Sequence, residues 1–90
     1  HYAPQARVEL VPMGRVADAL RTLERDAVAG AVLHSAPAPS GLAFARRLPD
    51  SPDGYAAALY DALHDADAAG CQLLFIEDVP AEAAWEAIRD

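Results

Sequence analysis

Gly70-Cys71-Gln72-Leu73-Leu74-Phe75-Ile76-Glu77 is the stretch that decides the fold of this ninety-residue chain. Leu73 to Ile76 are four large apolar residues in succession. A strand with one wet face alternates apolar and polar side chains. An unbroken apolar run suits a strand covered on both faces, as in a parallel sheet. Gly70 supplies the stop of a helix just before it.

That helix is announced upstream. Ser51-Pro52-Asp53 offers a Ser cap, a proline at the first helical position and an acid in the first turn. The pattern predicts a helix from Pro52 to Ala69. Ala56, Leu59, Leu63 and Ala66 form its inward stripe, with Tyr55 and Tyr60 on its flanks. Asp61, Asp65 and Ala68 point away.

Working back to the start, Ala6 to Val11 reads as a strand, with Val8 and Leu10 alternating with Arg7 and Glu9. Pro12 stops it. A helical pattern then runs from Gly14 to Ala29, with Val16, Leu20, Leu23 and Ala27 on one face and Gly30 as its stop. Ala31-Val32-Leu33 is a short strand ending at His34. The stretch Ser35-Ala36-Pro37-Ala38-Pro39-Ser40-Gly41 is a loop. Residues 42–47 form a third strand, ending at Leu48-Pro49. Beyond the apolar run, Pro80 opens a last amphipathic helix with Ala84, Trp85 and Ile88 as its apolar contacts.

The order β-α-β-β-α-β-α predicts a small three-layer, Rossmann-like α/β domain. Its mostly parallel sheet has about four strands, with helices on both faces.

Charge and composition narrow the function. Fourteen acids face seven arginines and no lysine, a formal charge of −7. A nucleic-acid binder needs a basic stripe to displace counterions. The expectation is no direct nucleic-acid contact. There is no long apolar run for a membrane span and no signal peptide pattern. The lone Cys71 excludes an internal disulfide and a Cys-rich zinc site, which suits a cytoplasmic setting.

The candidate chemistry is thin. Gly14 sits where a strand turns into a helix, a place that can hold a phosphate on backbone N–H groups. Yet the stretch lacks GxGxxG, and a plain turn is the favoured reading. His34 and Ser40 lie at or beyond a strand end, where α/β sheets bind ligands. Asp61, His64, Asp65 and Asp67 cluster on the second helix, but a solvated acidic face explains them better than a metal site. Cys71 reads as a packed thiol. Trp85 reads as an interface anchor or a cap on the core edge. Arg46 and Arg47 point to opposite sheet faces, so they form no joint clamp. No catalytic set and no metal site can be assembled, and no cofactor is expected on the domain itself.

His1-Tyr2-Ala3-Pro4-Gln5-Ala6-Arg7-Val8 resembles the linker of the two-domain threonylcarbamoyl-AMP synthases. The likeness continues at Arg47-Leu48-Pro49-Asp50, through Tyr55 to His64 and Asp67 to Gly70, and into Leu74-Phe75-Ile76-Glu77, Pro80 and Trp85 to Asp90. These enzymes pair an N-terminal YrdC-like catalytic domain with a smaller Rossmann-type C-terminal domain. The resemblance implies a parent L-threonylcarbamoyladenylate synthase, a nucleotidyltransferase using threonine, bicarbonate and ATP, with Mg. Its product feeds threonylcarbamoyladenosine modification of tRNA. It implies residues 1–5 as an interdomain linker remnant and 6–90 as a C-terminal accessory domain. His1, Tyr2 and Pro4 would then belong to a gate over the catalytic cavity, since an acyl-adenylate is protected by excluding water. The family's Lys-x-Arg-Ser/Thr constellation cannot lie here, because the chain has no lysine. The expectation is an excised domain that starts inside the linker, ends within its last helix, and partners the catalytic domain of the same polypeptide. The alternatives are a nucleotide- or metabolite-sensing module and a protein-interaction domain.

Overall fold

The computed structural model describes residues 3–24, 26–34, 37–49, 51–80 and 85. Its elements are β1 (Arg7–Val11), α1 (Val16–Leu20), β2 (Ala29–Leu33), β3 (Phe44–Arg47), α2 (Tyr55–Ala68) and β4 (Leu73–Glu77). The strands lie in the order β1-β4-β2-β3, and every neighbouring pair is parallel. β4, the last strand in sequence among the described residues, is therefore central. All five of its residues are buried, which is what its unbroken apolar run requires.

Two cores sit on opposite faces of that strand. Leu74 and Ile76 pack with Val32, Tyr55, Ala62, Ala66 and Trp85 under α2. Leu73 and Phe75 pack with Ala29, Ala31, Leu33, Val11 and Val16 under α1. Period-two alternation along β4 feeds both layers. This is a small three-layer α/β domain.

Several boundaries differ from the sequence expectation, each for a local reason. α1 ends at Leu20, well short of Ala29. The Thr22 hydroxyl donates back to the Ala19 carbonyl at 2.7 Å, a local bond that competes with helix continuation. Val28 is then claimed by a residue distant in sequence. The Gln72 side-chain oxygen accepts the Val28 N–H at 3.1 Å, and the Gln72 N–H donates to the Val28 carbonyl at 2.7 Å. This clamp draws Ala29 and Gly30 into β2. Gly30 is thus a strand residue. A Cβ there would lie 2.8 Å from the Cys71 sulfur and 3.2 Å from Phe44, so close packing calls for glycine.

α2 starts at Tyr55, three residues later than expected. Gly54, at φ 79°, is its N-cap, and no side chain among the described residues caps the helix. Tyr55 N–H closes a separate turn onto the Pro52 carbonyl at 3.1 Å, so Ser51 is no cap. The inward stripe is correspondingly Tyr55, Ala62 and Ala66, supported by half-buried Ala58, Leu59 and Leu63, while Ala56 is exposed. The C-terminus behaves as expected. Cys71 N–H reaches the Ala66 carbonyl and Gly70 N–H the Asp67 carbonyl, a Schellman motif with Gly70 in the left-handed region. β3 begins at Phe44 rather than Leu42. On β1, Val8 and Leu10 alternate as expected but stay exposed, at 40% and 70%. The helix expected after Pro80 lies outside the described residues, apart from Trp85, which is buried.

Candidate functional site

The carboxyl edge of the sheet carries the densest polar cluster. Glu77 ends β4 and is fully buried. One of its oxygens accepts the Gly14 N–H at 2.6 Å. The other accepts the His34 N–H at 2.5 Å. β4 lies between β1 and β2, so a single carboxylate ties the loop leaving one neighbour to the end of the other. These are charge-assisted bonds, the strong kind. Arg47 reinforces the edge by donating to the His34 carbonyl at 2.9 Å.

Around this clasp stand three aromatic rings. The His34 ring meets Trp85 edge-on at 5.0 Å, and Tyr55 meets Trp85 at 5.5 Å, also edge-on. Such geometry suits the ring quadrupoles. His34 Nδ1 is buried and has no hydrogen-bond partner among the described residues. The Tyr55 phenol is raised above its ordinary range by burial first, then by the nearby charges of Asp78 and Glu77. It stays protonated at physiological pH and is no nucleophile there.

The structure therefore brings Gly14 and His34 together through Glu77. Ser40 is exposed on the loop between β2 and β3. The anion-binding donor at Gly14 is spent on the chain's own carboxylate, whose charge repels a phosphate.

The acidic group on α2 is divided among separate partners. Asp65 pairs with Arg46 at 2.9 Å. The His64 ring lies tilted by 57° against the Tyr60 ring, with centroids 4.6 Å apart. Asp67 accepts the N–H groups of Gln5 at 2.9 Å and Ala6 at 3.2 Å. No group of three metal-ligating side chains occurs among the described residues. Cys71 is buried, and its thiol is raised, by burial first and then by Asp67. A thiol held protonated is a poor nucleophile.

The Asp67 contact defines a second locus, at the amino edge, where the chain enters β1. Pro4 is half-buried there and Ala3 is exposed. His1 and Tyr2 lie outside the described residues. Sequence reasoning missed Glu77 and Asp67 as organising groups. Glu77 did carry a signal, since an acid directly after four apolar residues at a strand end must find donors or stay wet. Asp67 carried none, because its partners are more than sixty residues away in sequence.

A parallel four-stranded sheet with a helix on each face defines a small α/β domain, and its densest polar cluster serves as an internal clasp. Over residues 1–90 the chain matches the family model described as threonylcarbamoyl-AMP synthase, C-terminal domain, and it belongs to that family. No curated protein and no solved structure matches it.

Proposed function

We propose that this domain is the non-catalytic, regulatory partner of a YrdC-like catalytic domain, and that it acts by holding the linker that precedes β1. The carrying observation is the Asp67 carboxylate, which grips the N–H groups of Gln5 and Ala6. A rigid helix thereby fixes the chain at Gln5 and Ala6, where it enters the sheet. On this reading Tyr2, with His1 and Pro4, reaches the catalytic cavity and helps exclude water from the acyl-adenylate. Threonine, bicarbonate and ATP with Mg are bound by the catalytic domain. The acidic charge of this chain suits a role away from the nucleotide.

The test is Tyr2→Ala in a polypeptide carrying both domains. The expected result is lower net formation of threonylcarbamoyl-AMP or greater escape of the free intermediate, with unfolding midpoints unchanged. Wild-type yield and wild-type retention together would end the gating role.

A second reading, a metabolite-sensing module at Gly14, His34 and Ser40, is favoured by one observation, the buried His34 Nδ1 that has no partner among the described residues. The Glu77 clasp opposes it for anions. Thermal-shift titration with ATP, AMP and threonine separates the two readings.

A further inference from the structure

β1 is an edge strand. Among the described residues it borders β4 on one side and no strand on the other. Its hydrogen-bonding directions follow from two bonds. Arg7 N–H donates to the Gln72 carbonyl, and the Val11 carbonyl accepts from Asp78. Arg7, Glu9 and Val11 thus spend their main-chain groups on β4. By alternation, those of Val8 and Leu10 face the open edge. The exposed side chains of Val8 and Leu10 share the α2 face, and Arg7 and Glu9 share the other. Edge strands of soluble proteins are usually blunted by inward charges, bulges or covers. This one is regular from Arg7 to Val11.

We propose that two copies of this chain pair antiparallel through β1, joining their four-stranded sheets into one continuous sheet. The register follows from the charges. With the two-fold axis at Val8, that residue faces its own copy across a hydrogen-bonded pair. Arg7 then faces Glu9 of the partner subunit, and the same contact recurs on the other side of the axis. Both are non-hydrogen-bonded pairs, where side chains come closest. Among the described residues no ion pair involves Arg7 or Glu9. On the α2 face, Val8 meets Val8 of the partner subunit, and Leu10, 70% exposed, lies opposite Ala6 of the partner subunit. The Ala6 N–H is already held by Asp67, so that end is bound through the Ala6 carbonyl alone. Pro4 and Pro12 lie at equal distances from Val8. Having no N–H, each closes the paired stretch. Centring on Glu9 instead would oppose two carboxylates and use residues whose main-chain groups belong to β4. The pattern is self-complementary about Val8, as an isologous interface requires.

The test uses the ninety-residue chain, whose two cores lie within it. Sedimentation velocity from micromolar to millimolar concentration should show a monomer–dimer equilibrium that weakens as salt is raised. Arg7→Glu alone and Glu9→Arg alone each turn two attractive contacts into repulsive ones. Each should weaken self-association by about tenfold or more. An equimolar mixture of the two variants should recover the dimer, because one copy then presents two acids where the other presents two arginines. Far-ultraviolet circular dichroism should be the same for all samples. A chain that stays monomeric throughout overturns the proposal. So does a dimer indifferent to either reversal, or a mixture that fails to recover it.

Discussion

At the scale of single residues, Glu77 carries more of the architecture than any other polar group described. It has no exposure to solvent, yet both its oxygens are used by main-chain donors from different segments. A buried carboxylate is tolerated only when its lone pairs are filled. The converse holds for the donors, since Gly14 and His34 would be left facing an unsuitable group if the charge were lost. Glu77→Gln keeps the shape but replaces one acceptor oxygen with an amide N–H₂ opposite an N–H. The expected cost is about 2 kcal/mol or more, read as a lower urea midpoint with an unchanged slope. A midpoint equal to wild type would show that the clasp contributes little. Gly30 makes the complementary point about space. Its reason for being glycine is the sulfur 2.8 Å from a Cβ placed there, although its place after an amphipathic run imitates a helix stop.

At the scale of elements, what was legible depended on how local the deciding forces were. β4 could be read because its burial is written in four adjacent side chains. The end of α2 could be read because Gly70 acts within one turn. The start of α2 could not, since Ser51-Pro52-Asp53 has every local mark of a helix start and Gly54 displaces it by three residues. Tyr55, expected on a flank, is buried in the α2-side core. The end of α1 was hidden because Gln72 claims Val28 from forty-four positions away. Gly14 and His34 were singled out from their places beside strand ends, but Glu77, which accepts from the N–H groups of both, was not. The folded Tyr55 phenol lies above the ordinary value of 10.0, through burial and then Asp78 and Glu77. Below pH about 10 both states hold the proton, and this group leaves stability unchanged. Above that, the unfolded chain releases its proton first, so stability falls as pH rises toward the folded value. Tyr55→Phe removes this part of the decline. Urea melts of both proteins at neutral pH and at pH about 11 should show a smaller alkaline loss in the variant. Equal losses would mean that Tyr55 is not the group responsible.

At the scale of the whole molecule, the question is whether the two faces of the sheet stand or fall together. β4 gives Leu74 and Ile76 to one core and Leu73 and Phe75 to the other. A strand cannot release one set of side chains while keeping its register for the other. Unfolding should therefore be a single transition despite the two clusters. Cys71 provides the probe. Its thiol is buried in the α2-side cluster and raised by burial and by Asp67, so reagent reaches it as a reactive thiolate only after opening. Val16 lies in the opposite cluster, 1% exposed. Val16→Ala should cost about 2 kcal/mol. If opening is global and closes faster than labelling, the Cys71 labelling rate should rise about thirtyfold with it. A labelling rate unmoved by Val16→Ala, in a variant whose urea midpoint has fallen, would show that the α2 face opens alone. The shared strand would then not couple the layers.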